Sequence, residues 1–290
     1  MNISALANTA APAMFGTNQS DPKHEARESN HASAAWSEND LVAAFRRAFL
    51  DGRIALAYQP QVCLASGEIL RWEVLSRWHH GPHGAVRPDL FMAAVEHLGW
   101  GRPYVCWLLH RALLDGGRLL ARARSFAFTF NLSPSDLIHD RMADDICRIV
   151  EPALAQGVEI GVEITENQPI HNVDALISNC HLLHERGIKI GLDDFGAGFS
   201  RLQHLHQLPL DFIKIDRSLL TSVMFNRRSE VVLNTIESMA RALGITTVVE
   251  GVESAAQADW LIERGFNVAQ GFHFGRPSNI DRLLGCVGNA

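Results

Sequence analysis

The sequence predicts an α/β protein built as a closed (β/α)8 barrel. Eight short apolar runs rich in Val, Ile or Phe recur along the chain, and stretches with helical periodicity separate most of them. Strands that alternate with helices favour parallel pairing, and eight such strands favour closure into a barrel. The chain of 290 residues is long enough for this fold, which commonly needs about 250 residues.

The beginning of the chain sets the predicted domain boundaries. Residues 1–35 are rich in Ala, Ser and Asn and predict a disordered N-terminal tail, so residues 36–290 are expected to form a single barrel domain. That domain opens with a helix in "SENDLVAAFRRAFLDGR". Ser37 is its expected N-cap, and Leu41, Phe45 and Phe49 recur four residues apart on one face.

The eight apolar runs are the predicted strands. In chain order they are "IALAYQPQV" (54–62), "ILRWEVLSRW" (69–78), "FAFTFNL" (126–132), "GVEIGVEIT" (157–165), "IKIGLDD" (188–194), "LDFIKID" (210–216), "ITTVVEG" (245–251) and "NVAQGF" (267–272). Helical stretches between them include "DALISNCHLLHERG" and "RSEVVLNTIESMARALG", in which Gly244 is the expected helix stop.

Composition excludes several classes of protein. A formal net charge of −6 argues against binding of duplex nucleic acid. The cysteines at 63, 106, 147, 180 and 286 are odd in number and form no CxxC pair, which indicates reduced thiols and a cytoplasmic location. No apolar run reaches the roughly 18 residues of a membrane span, and the first residues lack the pattern of a signal peptide.

Polar side chains follow the predicted strands at their carboxyl ends, where barrels of this class hold their chemistry. In order they are Glu73, Asn131, Glu163 with Glu166, Asp193 with Asp194, Lys214 with Asp216, Glu250, and Gln270. Any one of them could cap a helix or form a salt bridge at the rim, and capping is the alternative interpretation of the two aspartates in "IGLDDFGAGFS". Capping does not explain why successive strands all deliver such groups to one end. Acids packed together there would be destabilising without cations.

Oxygen ligands without His or Cys select hard cations. Mg²⁺ or Mn²⁺ is therefore the expected cofactor, with Ca²⁺ as an occupant that does not support catalysis. Adjacent aspartates suit a two-metal site, because one carboxylate can bridge the ions while its neighbour holds the second. Two metals about 3.5–4 Å apart activate a water and stabilise the oxygens of a phosphoryl displacement.

Seven motifs in this order resemble the EAL domain family, the cyclic di-GMP phosphodiesterases. They are "EVLSRW", "FNLS", "VEITEN", "DDFGAGFSRL", "LPLDFIKIDRS", "VEGVES" and "QGFHFGRP", and the resemblance covers residues from about 40 to 280. It implies a TIM-type barrel whose first strand is antiparallel to the others. The implied reaction is hydrolysis of one phosphodiester bond of cyclic di-GMP to linear pGpG with Mg²⁺ or Mn²⁺.

The resemblance also implies a role for each matching residue. The metal ligands would be Glu73, Asn131, Glu163, Asp193, Asp194 and Glu250. Lys214 would hold the attacking water and help to deprotonate it. Glu166 and Glu253 would support this lysine and the loop after Asp194. The dinucleotide groove would be lined by Gln59, Leu75, Arg77, Asp216 and Gln270, with Arg77 toward a phosphate. The loop "FGAGFSRL" resembles the segment that couples the metal site to a homodimer interface. Val74 and Val249 replace alanines of the family pattern, as conservative changes.

Other interpretations of the sequence stay open. A receptor of the same fold could bind cyclic di-GMP without turnover, although it would not need Lys214 and both aspartates. An adaptor that binds proteins would have abandoned the nucleotide. Regulation would come through the tail, a protein partner or transcription. "GAGFSR" lacks the third glycine of a dinucleotide-binding loop. His79, His80, His83, His181 and His184 are expected to be solvated residues rather than a zinc site.

Overall fold

A computed structural model of the protein describes residues 36–120, 126–139, 141–165, 172–196 and 206–287. For residues 286 and 287 it describes the backbone alone. The predicted tail, Glu166 and the loop at 197–205 lie outside this part of the chain. The strands are β1 (Ile54–Cys63), β2 (Ile69–His80), β3 (Gly84–Val86), β4 (Ala127–Leu132), β5 (Glu159–Thr165), β6 (Lys189–Phe195), β7 (Phe212–Ile215), β8 (Thr246–Val249) and β9 (Val268–Gln270). The helices are α1 (Glu38–Leu50), α2 (Pro88–His97), α3 (Gly101–Leu120), α4 (Pro134–Leu137), α5 (Met142–Leu154), α6 (Val173–Glu185), α7 (Arg217–Val223), α8 (Arg227–Ala242), α9 (Ala255–Glu263) and α10 (Ile280–Val287).

The strands close into a barrel. Their order is β1-β9-β8-β7-β6-β5-β4-β2, and β1 pairs with β2 to complete the ring. From β2 through β9 the neighbours within the ring are parallel, whereas β1 is antiparallel to both β2 and β9. The predicted TIM-type barrel with an antiparallel first strand is confirmed, and each of the eight predicted runs contains a strand.

One strand was missed. β3 pairs antiparallel with the end of β2, which therefore continues to His80, two residues past its predicted end. Next to this hairpin, two of the histidines expected to be solvated, His80 and His83, are half-buried. The rings of His80 and His83 pack on Trp36, with centroids 4.9 and 4.0 Å from its ring. A three-residue strand is too short to show the alternation by which strands are recognised.

Helices cover the outside of the barrel, and their ends follow the predicted signals. Ser37 caps α1 by accepting a hydrogen bond from the Asp40 backbone N–H, and Leu41 and Phe45 of its apolar face are buried. Gly244 follows α8 with φ of +73°, a conformation that favours glycine. No helix in the described ranges is both long and apolar enough to cross a membrane.

Alternation along each strand separates the outer core from the barrel interior. On β5, Ile160, Val162 and Ile164 join the core under the helices, so Gly161 and Glu163 between them face inward. Deep inside the barrel, Phe212, Val248 and Val268 form a separate apolar floor. The polar groups described below lie on the same inward faces, closer to the carboxyl ends of the strands.

The antiparallel strand is fixed from outside by a buried polar contact. The Tyr58 hydroxyl on β1 donates a 2.8 Å hydrogen bond to Oδ2 of Asp115 on α3. Arg111 and Arg118 each place a guanidinium nitrogen 3.7 Å from the same carboxylate. Burial and the Asp115 charge raise the pKa of the Tyr58 hydroxyl, so it stays protonated and donates. Tyr58 therefore anchors the outer face of β1 and leaves Gln59 and Gln61 to the interior.

We predict that Gly191→Ala destabilises the protein by about 1–3 kcal/mol, the usual cost of overpacking a core. A Cβ at Gly191 would lie 2.2 Å from two atoms of the Phe212 ring, which is held in the barrel floor. Urea unfolding measures the change. Gly117→Ala is the control, because no atom lies within 4 Å of its Cβ position on α3 and it should be neutral or slightly stabilising. Equal stability of the two variants would contradict this account of the floor.

Candidate metal centre

The predicted lysine lies at the centre of the inward-facing polar groups. Lys214 on β7 is 1% exposed, and its Nζ contacts carboxylates that come from β2, β5, β6 and the end of β8. The distances from Nζ are 2.7 Å to Glu250 Oε1, 2.8 Å to Glu163 Oε2, 3.1 Å to Asp193 Oδ1 and 3.4 Å to Glu73 Oε2. The structure thus brings together residues that are far apart in sequence, as the strand-end pattern predicted.

The charges at this centre do not balance. Burial by itself lowers the pKa of Lys214, but the four carboxylates outweigh burial and hold that pKa well above its usual value. Burial raises the pKa of Glu163 to about 8 and that of Glu250 to about 7, against the lowering effect of Lys214. One ammonium is therefore not enough to keep every acid ionised at neutral pH. The site has the electrostatic character of one that accepts further positive charge.

A bulge explains how two adjacent aspartates can serve one site. Between Leu192 and Phe195 the register with β7 shifts, so β6 carries one residue more than its partner. Asp194 lies in this bulge with φ of +58°, a left-handed conformation that is uncommon for a residue other than glycine. In a regular strand neighbouring side chains point to opposite faces. The bulge lets the carboxylates of both Asp193 and Asp194 reach the same cluster.

Two overlapping groups of acids could each hold a cation. Glu73, Glu163 and Asp193 form one group, and Asp193, Asp194 and Glu250 form the other. Within each group the candidate ligand oxygens lie within 4.8 Å of one another. Asp193 belongs to both groups, which is the arrangement expected of a carboxylate that bridges two ions.

The carboxamide of Asn131 fits the same use. Its Nδ2 donates a 2.7 Å hydrogen bond to Glu73 Oε1, while its Oδ1 is buried and accepts no hydrogen bond from the described residues. A buried carbonyl oxygen without a donor is costly unless a cation or a water meets it. The oxygen-only donor set suits Mg²⁺ or Mn²⁺.

Glutamines brace the acids from the neighbouring antiparallel strand and from β9. Gln270 Nε2 lies 2.5 Å from Glu73 Oε2 and 3.2 Å from Gln59 Oε1. Burial alone would raise the pKa of Glu73, but the Lys214 charge and the hydrogen bonds from Gln270 and Asn131 outweigh burial and lower that pKa. Gln61, which the sequence reasoning missed, donates a 3.1 Å hydrogen bond to Glu163 Oε1. Its position two residues after Gln59 on a strand was the available signal.

The residues predicted for a nucleotide groove lie in different places around the acids. An open pocket beside the centre is lined by Gln59, Arg217, Glu250, Gly251, Glu253, Gln270, Gly271 and Phe272. Leu75 and Arg77 share the face of β2 with Glu73 and are half-buried. Asp216 caps α7 by accepting from the Ser218 backbone N–H at 2.9 Å. Glu253 is exposed at the pocket, and Glu166 lies outside the described residues.

The two departures from the family pattern point away from the centre. Val74 is 2% exposed and belongs to the outer core between β2 and the helices. Val249 is fully buried in a second outer core, which packs against β8 and its neighbours. Because neighbours on a strand face opposite sides, a larger side chain at either position adds to the outer core. Glu73 and Glu250 keep their inward places.

Comparison with known proteins agrees with this geometry. The model of the EAL domain matches residues 42–277. The chain is 33% identical over 244 residues to the cyclic di-GMP phosphodiesterase NbdA of Pseudomonas aeruginosa, covering 84% of this chain and 31% of that protein. It is also 33% identical over 241 residues to the cyclic di-GMP phosphodiesterase RocR of the same species, covering 83% of this chain and 62% of RocR. The chain thus spans about a third of NbdA and less than two thirds of RocR.

Solved structures show the same architecture. The PaMucR phosphodiesterase in complex with c-di-GMP superposes with a TM-score of 0.75 at 30% identity, covering 84% of this chain and 99% of that one. The EAL enzyme Bd1971 bound to cAMP and cyclic di-GMP gives 0.78 at 28% identity, covering 91% and 72%. The match of residues 42–277 and the identity to NbdA and RocR place this chain in the EAL domain family.

Proposed function

We propose that this protein is a phosphodiesterase that hydrolyses one phosphodiester bond of cyclic di-GMP to linear pGpG with two Mg²⁺ or Mn²⁺ ions. The observation that carries the proposal is the pair of acid groups that share Asp193 around the buried Lys214. Relatives named as cyclic di-GMP phosphodiesterases and a structural neighbour in complex with c-di-GMP support the choice of substrate.

The proposed ligands follow the two acid groups. Glu73, Asn131, Glu163 and Asp193 would hold one ion, and Asp193, Asp194 and Glu250 the other. Bound cations would supply Lewis acidity toward the water and the phosphate oxygens. We propose that Ca²⁺ also binds these oxygens but supports little turnover, because its looser coordination positions water poorly.

Lys214 is proposed to hold the attacking water. Its high pKa makes it an ammonium at neutral pH, so it donates hydrogen bonds. Cations bound by the surrounding carboxylates would reduce the negative charge around Lys214 and lower its pKa, so that its neutral amine could accept the proton of the water.

The pocket beside the acids is the proposed seat of the nucleotide. Gln59, Glu253 and Gln270 line it, and Arg217 adds a cationic side chain that the sequence reasoning did not single out. Arg77, on the inward face of β2, is proposed to meet a phosphate, since burial lowers the pKa of its guanidinium and an anionic partner would offset that cost. Leu75 and Asp216 complete the proposed groove.

A homodimer stays a proposal as well. The loop named for it is "FGAGFSRL" (195–202), of which residues 197–202 lie outside the described residues. The described surface offers exposed apolar side chains just after α7 and in the first turns of α8, namely Met224, Phe225, Val231 and Val232, with Phe225 94% exposed. Light scattering at several concentrations would measure the assembly.

One assay separates this function from its rivals. Purified protein is incubated with cyclic di-GMP and either Mg²⁺ or Mn²⁺, and the linear product is measured by chromatography. A silent receptor would bind the nucleotide in a calorimetric titration without forming product, and an adaptor would do neither. The intact ligand set around Lys214 favours turnover.

We predict that Lys214→Ala binds cyclic di-GMP within a few-fold of the parent but turns over at least about a hundredfold slower, as expected when a group that positions a nucleophile is lost. Assays are run with saturating Mn²⁺, so that cations offset the lost ammonium. Lys189→Ala is the control, because Lys189 makes an exposed 2.8 Å ion pair with Asp211 away from the centre. Parent-like turnover by Lys214→Ala would contradict the proposed mechanism.

We predict that Asp194→Asn folds like the parent but binds Mn²⁺ at least about tenfold more weakly and loses turnover. Asparagine adopts the left-handed backbone of this position readily, so the change removes charge without straining the bulge. Titration with Mn²⁺ and thermal unfolding measure the two effects. Asp89→Asn is the control, since Asp89 lies in the first turn of α2 and pairs with exposed Arg87 there. Unchanged Mn²⁺ affinity would rule out Asp194 as a ligand.

We predict that the metal-stripped protein becomes less stable as the pH rises from 5 to 8. The folded-state pKa values of Glu163 and Glu250 are raised to about 8 and about 7, so the folded state binds more protons than the unfolded state in this range. Stability therefore falls by up to about 1.4 kcal/mol per pH unit for each carboxyl. Glu73, with a lowered pKa, and Lys214, with a raised one, titrate outside this range.

Thermal unfolding in EDTA at pH 5, 6, 7 and 8 tests this dependence, and Glu163→Gln should reduce it. Added Mn²⁺ should restore stability most at pH 8, where the acids are free to bind it. A melting temperature that rises with pH in EDTA would show that the acids are already compensated.

A further inference from the structure

We propose that Gln61 is a positioning residue for the metal centre, which holds the Glu163 carboxylate in the orientation needed for Lys214 and for a cation. The inference deepens the proposed function and rests on it. Gln61 itself is not proposed to bind the cation. Its amide acts through a single hydrogen bond to Glu163.

The place of Gln61 in the barrel allows this role. It lies on the antiparallel β1, opposite Arg71 on β2 and Gln270 on β9, and its side chain is fully buried. Positions an odd number of residues apart on a strand face opposite sides, so β1 directs Tyr58 outward to Asp115 and Gln61 inward to Glu163. Leucine or methionine would fill such a position without burying polar atoms.

The hydrogen bond between Gln61 and Glu163 fixes the orientation of both side chains. Glu163 Oε2 lies 2.8 Å from the Lys214 ammonium, and Oε1 accepts the 3.1 Å hydrogen bond from Gln61 Nε2. The amide meets Glu163 through its NH2 group, so Oε1 of that side chain is the acceptor. With Oε1 held by Gln61, rotation of the carboxylate is blocked and Oε2 stays directed toward Lys214.

A neutral donor is the suitable partner here. The centre already crowds four carboxylates around one ammonium, and another acid would add repulsion while another cation would compete for the carboxylates. An amide supplies a hydrogen bond without charge. Hydrogen-bond partners of this kind orient metal ligands, and their loss commonly weakens metal binding by about 10–100-fold.

The arrangement carries a cost that a purely structural role would not explain. Gln61 Oε1 is buried and receives no hydrogen bond from the described residues. A buried unpaired oxygen is destabilising, so an apolar residue of similar size would serve the fold at least as well. The geometry thus points to a function for the amide that concerns Glu163.

The test compares Gln61→Met and Gln61→Asn with the parent. Methionine keeps the volume without a donor, and asparagine keeps the amide but is one methylene too short to reach Glu163. Both should fold, bind Mn²⁺ about 10–100-fold more weakly in an EPR titration without nucleotide, and lower kcat with KM for cyclic di-GMP within about twofold of the parent. If one variant fails to fold, the other decides.

Tyr58→Phe is the matched control on the same strand. It removes the buried hydrogen bond to Asp115 and should lower Tm by about 2–4 °C while Mn²⁺ affinity stays unchanged. Mn²⁺ affinity and kcat of the Gln61 variants within twofold of a parent that binds and hydrolyses would overturn the inference alone. A parent that binds no Mn²⁺ would overturn the proposed function and this inference together.

Discussion

The structure depends on one buried ammonium among carboxylates. Lys214 contacts acids from four different strands, so the barrel must close with the correct register for the lysine to find its partners. Transfer of a charged group from water to the protein interior costs several kcal/mol of free energy, and short contacts with opposite charges are needed to offset that cost. The same requirement explains why the neighbouring strands β1, β4 and β9 carry neutral amides toward these acids, from Gln61, Asn131 and Gln270.

The barrel wall separates two physical environments along each strand. Its outer face packs valine, isoleucine and phenylalanine against helices, and its inner face is apolar at the floor and charged toward the carboxyl ends. The floor of Phe212, Val248 and Val268 limits how far water enters from below, which strengthens electrostatic contacts above it. Arg71 closes one side of this floor, with its guanidinium 4.6 Å from the centre of the Phe212 ring.

The sequence alone predicted the strands and most of the centre, because alternating apolar runs and polar residues at strand ends are local patterns. Residues 210–216, for example, already show Lys214 between Ile213 and Ile215. The bulge at Asp194 was not predictable in this way, since its left-handed backbone arises from pairing with β7. Gln61 was missed because its partner Glu163 lies 102 residues away, and β3 because its pairing with β2 is all that defines it.

The reversed direction of β1 decides where the chain enters the barrel. Its first residue, Ile54, pairs with Trp78 near the carboxyl end of β2, whereas the parallel strands start at the opposite end. The residues ahead of it stay on that side, with Phe45 of α1 and Trp36 both packed on the Trp78 ring. The first helix therefore stays at the rim that carries the acids, where it packs on the end of β2 and leads directly into β1, the strand of Gln59 and Gln61.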